Sequence, residues 1–361
     1  MNFSARADRF AVTGGAGFIG SNLAAALVDS GKEVTILDNL SRPKSALNIA
    51  WLRNRSGENG LRFIKGDVRD VRSVREAVAG AQVVVHLAAQ VAVTTSIEDP
   101  VADHGVNVGG SLNVLEAARR SRERPIVIVA STNKVYGALT HLTLREEETR
   151  YTSPHLPDGV SETCPLEFCS PYGCSKGAMD QYTLDYNRTY GIPTVVMRLS
   201  CTYGERQFGT EDQGWIAHLM RVAAEKRTIN VFGNGKQVRD VLHVEDLLLA
   251  FDLAIEHIDR TAGQAYNIGG GKSNSLSVWS EFGNILSTMA GYTVRAQFHD
   301  WRVGDQRFYV SDYGKFARHT GWAPTVSIRQ GFERLWEWVL TIEESQVTPS
   351  VKEMSVQSGR R

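Results

Sequence analysis

The sequence lacks an excess charge of either sign: 40 Lys and Arg balance 40 Asp and Glu over 361 residues. That balance removes the electrostatic footprint of a nucleic-acid binder or a polybasic membrane surface, so neither partner is expected. Cysteine is scarce. Cys164, Cys169, Cys174 and Cys201 are too few to staple a chain of this length, and none forms a C-x-x-C pair. Neither a disulfide framework nor a structural zinc site is therefore expected. Long apolar runs are missing too, with nothing near the roughly 20 residues that a membrane span requires. Met1 to Arg9 carries no apolar core of a secretory signal, and the expected location is cytoplasmic. Proline is rare at 10 residues, while branched and aromatic residues are spread throughout, which excludes wholesale disorder.

What is present is an alternation of short apolar strands and amphipathic helices. Phe10–Thr13, Val34–Leu37, Leu61–Ile64, Val83–Val85, Ile126–Val129 and Thr194–Met197 read as strands. They are nearly continuous apolar runs, as expected of strands covered on both faces. Helical patterns separate them at Phe18–Ser30, Ser73–Ala79, Val106–Arg120 and Pro171–Tyr190. This repetition predicts an α/β fold with a doubly wound parallel sheet. Beyond about Gly204 the alternation loosens, with helices at Trp215–Glu225, Val244–Glu256, Ser277–Ala290 and Ile328–Leu340. The expected organisation is a first domain over 9–203, a smaller and partly interleaved lobe over 204–342, and a flexible polar tail over 343–361. The segment 138–170 fits neither pattern and is expected to cover a substrate or meet another subunit.

Thr13 to Gly20 reads TGGAGFIG, with Gly14, Gly17 and Gly20 spaced by two residues. Glycines at a strand-to-helix turn let the backbone approach a pyrophosphate, and the N–H groups of the helix start, at Phe18 and Ile19, can meet the anion. A strand precedes this motif and an amphipathic helix follows it, which is the context a Rossmann dinucleotide site demands. Asp38 ends the second strand 18 positions beyond Gly20, where a carboxylate accepts bonds from a ribose and repels a 2′-phosphate. With Asn39 beside it, this favours NAD over NADP; Arg42 is the one neighbour that argues the other way. Asp67-Val68 and Leu87-Ala88-Ala89 follow the third and fourth strands, at the edge where open sheets bind ligands.

Tyr172 and Lys176 lie four apart on a helical pattern and so share a face. A free phenol, with a pKa near about 10, is a poor base, and a neighbouring cation would lower that value. Ser131-Thr132 follows the fifth strand and supplies a hydroxyl nearby.

Together these motifs resemble the extended short-chain dehydrogenase/reductases, the NAD-dependent nucleotide-sugar epimerases and dehydratases, over about residues 9 to 340. The resemblance implies that Thr132, Tyr172 and Lys176 are catalytic. It also implies that NAD stays tightly bound and is regenerated each cycle. Sugar dehydratases carry an Asp-Glu pair after this Thr, whereas this chain has Asn133 and Lys134. The Thr-Asn-Lys version and the stretch 206–215 are similar to epimerases acting at carbon 2 of CDP-linked sugars. Asn133 and Gln207 are then expected to contact substrate, and Arg239 and Arg302 to hold its diphosphate, unless Asp240 or Asp305 pairs with them first. Epimerisation of another CDP-sugar at carbon 2, or of a UDP-sugar at carbon 4, stays open, as does a non-catalytic dinucleotide redox sensor. His243, Glu245 and Asp246 read as a helix start and cap, His86 as a core residue, and no metal is expected. The resemblance further suggests a homodimer or homotetramer, paired through Val106–Arg120 and Pro171–Tyr190.

Overall fold

Seven parallel strands make the central sheet of the computed structural model, which describes residues 3–56, 60–302 and 304–356. They are β1 (Arg9–Thr13), β2 (Glu33–Asp38), β3 (Leu61–Lys65), β4 (Val83–His86), β5 (Ile126–Thr132), β6 (Thr194–Leu199) and β7 (Gln264–Ile268). Their spatial order is β7-β6-β5-β4-β1-β2-β3. The order reverses between β1 and β4, and such a switch point opens a crevice at the carboxyl ends of the strands. Thr13 of β1 stands level with Leu37 of β2 and His86 of β4, so three strand ends meet at that crevice.

Alternation along the strands sends side chains to opposite faces. Phe10 and Val12 face a core shared with Leu23 and Leu27 of α1 (Phe18–Asp29) and with Ile49 and Leu52 of α2 (Ser45–Ser56). Ala11 and Val84 face the other core, with Val74 of α3 (Val71–Val78), Val114 of α4 (Gly110–Arg120) and Met179 of α5 (Ser170–Tyr190). A single π-helical turn, Gly105–Gly109, leads into α4. A third core joins α6 (Trp215–Ala224) to Phe282 and Phe332 of the later helices, and forms the body of the second lobe.

The strand β7 comes from beyond Gly204 and completes the sheet against β6, so the two halves of the chain interleave. Its sequence, QAYNI, carries too little apolar content to be read as a strand, and α2 is similarly mixed. The helix expected from Ser277 starts only at Phe282, because Ser275–Ser277 pairs as a short strand with Val238–His243. The stretch expected to be a tail from 343 is helical as far as Val356, and residues 357–361 lie outside those described.

None of the residues 138–170 lines the crevice. The segment runs over the second lobe instead: Val160 N donates to the Val310 carbonyl at 2.7 Å, and Glu162 accepts from Asn267 N at 2.8 Å. Arg150 also pairs with Glu281. The segment straps the lobe to the end of β7. No described helix is long and apolar enough to cross a membrane.

Candidate active site

The glycine turn after β1 is tight for a stated reason at each end. Gly14 has a φ of +70°, and a Cβ there would meet Ala88 N at 2.7 Å; a Cβ on Gly20 would run into the Gly14 carbonyl. Gly17 precedes α1 without any side-chain cap, so the first N–H groups of that helix, at Phe18 and Ile19, have no capping side chain. A cradle that any Cβ would fill, ending on an uncapped helix, fits the pyrophosphate of a dinucleotide.

Asp38 closes β2 beside this turn. Its Oδ2 accepts from Ala16 N at 3.0 Å and its Oδ1 from Leu40 N at 2.8 Å. Burial raises its pKa, and the two backbone bonds pull the other way. Asn39 donates to Asp67 Oδ2 at 2.8 Å, and a two-pronged Arg69 contact holds Asp67 well below the usual carboxylate range. Val68 is buried beneath α4. Leu87 N donates to the Thr13 carbonyl at 3.0 Å, which aligns Leu87, Ala88 and Ala89 along the crevice wall. Below them His86 is buried between Thr13 at 2.7 Å and Ser111 at 2.9 Å, and burial drops its pKa to about 3. The imidazole is neutral and structural. Arg42 turns away from Asp38 and donates to Gln213 Oε1 at 2.7 Å, tying the β2 loop to the far side of the crevice.

One cleft of about 600 Å³ is lined by the glycine turn, Asp38, Asn39, Asp67, Val68, Leu87, Ala88 and Ala89, and also by Thr132, Tyr172, Lys176 and Gln207. The cofactor-type and catalytic-type residues therefore share one space. Thr132 ends β5 and lines the same cleft as the Tyr172 phenol. Lys176 turns its ammonium to the Ala130 carbonyl at 2.6 Å. At Tyr172 burial outweighs every neighbouring charge. Burial pushes Tyr172 up to about 12, only partly opposed by Thr132 and by the cation of Arg42, while Asp103 adds to the rise. Burial takes Lys176 itself down to about 8 against the pull of Asp180 and Asp103. In this state the phenol holds its proton at neutral pH.

Asn133, Arg239 and Arg302 stand outside the residues that line the cleft. Asn133 is buried behind Thr132, whose hydroxyl donates to its Oδ1 at 3.4 Å. Arg239 donates to Asp305 Oδ1 at 2.6 Å, and Arg302 to Glu211 Oε1 at 3.1 Å while lying over the Phe232 ring. Both guanidiniums meant for a diphosphate thus already hold carboxylates. Gln207 lines the cleft with its Nε2 on the Thr202 carbonyl and its Oε1 unpartnered.

Sequence reasoning missed the framework beneath the catalytic pair. Arg198 of β6 grips Asp180 of α5 at 2.8 and 3.0 Å, and Ser131 donates to the same carboxylate at 3.0 Å. This buried network fixes β5, β6 and α5 together. A charged residue inside the apolar run TVVMRL, and an aspartate four after Lys176, were its signals. Asn107 similarly donates to Asp103 and to Ser175, anchoring α5 from the other side at 3.1 and 3.0 Å. His243 caps Val244–Glu256, and among the described residues no group of three His, Cys, Asp or Glu is arranged to hold a metal.

The family model of the NAD dependent epimerase/dehydratase family matches residues 10–269. The chain belongs to that family. It is 43% identical to a CDP-paratose 2-epimerase of Salmonella typhi, over 92% of this chain and 99% of that protein. It is 33% identical to a putative UDP-glucose 4-epimerase of Methanocaldococcus jannaschii, over 91% and 97%. Among solved structures it is similar to UDP-glucuronic acid 4-epimerase from Bacillus cereus, in complex with UDP-glucuronic acid and NAD, with a TM-score of 0.79 at 26% identity, covering 92% and 99%. Membership in this NAD-dependent family and the glycine cradle point to the same cofactor, NAD.

Proposed function

We propose that the chain is an NAD-dependent epimerase of nucleotide-diphosphate sugars that inverts carbon 2 of a CDP-linked deoxyhexose, converting CDP-paratose to CDP-tyvelose. The observation that carries the reading is the single cleft shared by the glycine cradle, Thr132, Tyr172 and Lys176. The near-complete span of the 43% match to a CDP-paratose 2-epimerase supports the choice of sugar. Dehydration is disfavoured because Asn133 and Lys134 stand where an acid–base carboxylate pair would be needed.

The residues that would hold NAD are Gly14, Gly17, Phe18, Ile19 and Gly20 at the pyrophosphate, and Asp38 with Asn39 at the adenosine ribose. Asp67, Val68, Leu87, Ala88 and Ala89 would line its path, with Lys176 at the nicotinamide end. When bound, NAD would supply a reversible hydride acceptor and a positive charge. Tyr172, acting as the phenolate that the cofactor's positive charge would favour, takes the proton of the sugar hydroxyl during oxidation and gives it back on reduction of the opposite face. Thr132, which lines the same cleft, would align the same oxygen. Lys176 keeps a cation near the pair, and Asn133, Gln207, Arg239 and Arg302 would surround the substrate. For Arg239 and Arg302 this requires release from Asp305 and Glu211.

The test is incubation with CDP-, UDP-, GDP- and dTDP-sugars followed by proton NMR in deuterated water. The expected result is inversion at carbon 2 of a CDP-sugar, without net NADH release and without solvent deuterium at that carbon. Inversion at carbon 4 of a UDP-sugar would replace the reading. Val101, Ile97 and Tyr182, which are exposed apolar residues on and beside the α4 and α5 layer, support assembly as a homodimer or homotetramer, checked by the mass in light scattering.

A further inference from the structure

Two loops contribute to the lining of the cleft, 39–44 after β2 and 204–214 from the second lobe. Side chains bridge from one to the other side. Arg206 Nε donates to Asn48 Oδ1 at 3.1 Å, and its guanidinium lies 4.5 Å from the centre of the Trp51 ring. Asn48 is buried on α2 and passes the contact on, donating to the Ala16 carbonyl of the glycine turn at 3.0 Å. Arg42 donates to Gln213 Oε1 at 2.7 Å, and Asn22 of α1 to the Glu205 carbonyl at 2.9 Å. Lys44 lies over the Phe208 ring at 5.5 Å. The Arg206 guanidinium is thus fixed by an amide and a ring rather than by a carboxylate, a hold that can break and remake.

The backbone on both sides is also unusual. Leu40 at φ +58°, Lys44 at +65° and Arg206 at +69° occupy the left-handed region although each carries a Cβ. Such positions are costly, and they gather at ligand clamps and switch segments, where surrounding contacts hold them. Lys44 and Arg206 are themselves bridging residues.

We infer that Arg206 with Asn48, and Arg42 with Gln213, form a clasp between the two lobes that closes over NAD and limits how fast the cofactor enters and leaves. This rests on the NAD reading given above. A dinucleotide reaching from Asp38 past the glycine turn to Lys176 fills the space that the two loops help to line, so it passes in or out when the bridges part. Each bridge is a single hydrogen bond or ring contact, so the clasp opens without unfolding either lobe. The glycine turn supplies affinity, and the clasp adds a kinetic hold that suits a cofactor regenerated on every turnover.

The test dilutes purified holoenzyme into an excess of alcohol dehydrogenase with ethanol, so that NADH fluorescence reports NAD as it is released. Calorimetry gives the NAD affinity of the same proteins. Arg206→Met should speed release by about threefold to tenfold, the worth of one typical hydrogen bond, and Gln213→Ala serves if the methionine variant does not fold. Gln213→Glu gives Arg42 a charged partner and should slow release. Affinity should move far less than the rate, because a gate slows entry and exit alike. An unchanged release rate in Arg206→Met and Gln213→Ala overturns the clasp. Faster release matched by an equal loss of affinity also overturns it, since that is the mark of an ordinary ligand contact. A wild-type enzyme that binds no NAD in the calorimeter overturns the cofactor reading, and the clasp with it.

Discussion

The two ends of the cleft are built from different materials. At the pyrophosphate end the chain uses backbone: a left-handed glycine, a helix start without a cap, and a carboxylate already satisfied by Ala16 and Leu40 amides. At the other end stand Thr132, Tyr172, Lys176 and a Gln207 oxygen without a partner, and outside the lining lie long side chains paired with each other, Arg239 with Asp305 and Arg302 with Glu211. A backbone cradle is complete before its ligand arrives and loses little entropy on binding. A side-chain site must exchange partners, so on the proposed function Arg239 and Arg302 would have to give up carboxylates before meeting phosphates. The first design suits a cofactor that stays, and the second a substrate that leaves.

The largest expected effect tests whether chemistry belongs to the sugar end alone. Tyr172→Phe removes one hydroxyl and should lower turnover by ~10²–10⁴-fold, the range for a lost general acid–base group. NAD binding, followed by fluorescence titration, should be unchanged. Turnover within a factor of two of wild type would remove Tyr172 from the mechanism.

The converse change attacks the cradle. In Gly20→Ala the new Cβ meets the Gly14 carbonyl, backbone that cannot swing aside. Overpacking of this kind costs ~1–3 kcal/mol, which should appear as a lower urea midpoint and as weaker NAD binding. CDP binding at the other end should survive in the folded fraction. Equal loss at both ends would mean that the cleft behaves as one cooperative unit.

That difference in construction also explains what was legible in the sequence. The doubly wound parallel sheet and the glycine turn were readable because glycine spacing, apolar runs and a strand-end aspartate each have a local cause. Tyr172, Lys176 and Thr132 were readable by spacing, yet their electrostatics were not. The sequence shows a lysine four residues from a tyrosine, but not that the ammonium is turned to the Ala130 carbonyl or that burial dominates both groups. The Asp180–Arg198 pair spans 18 residues and two elements, and the Arg239–Asp305 pair spans 66, so the odd charges are visible in the sequence but which partner each finds is not. β7 was missed because QAYNI gains its strand state from pairing with β6 rather than from its own propensity.

The smallest effects distinguish the two ends by pH. His86, at the cradle, has a folded pKa of about 3 against an ordinary 6.5. The unfolded chain therefore binds the extra proton between these values, so the stability contribution is complete above 6.5 and is lost as pH falls toward 3. The slope is at most ~1.4 kcal/mol per pH unit, and His86→Gln should remove it, read as urea midpoints between pH 6.5 and 5. Lys176, at the reacting end, sits at about 8 when folded against 10.5 ordinarily, so between those values it is again the unfolded chain that holds the extra proton. Stability from this group consequently rises with pH over that window. Activity should do the opposite, falling as the ammonium is lost above about 8, because catalysis needs the cation that folding disfavours. A pH–rate profile flat to pH 10 with the wild-type enzyme would show that Lys176 acts through its bond to Ala130 and not through its charge.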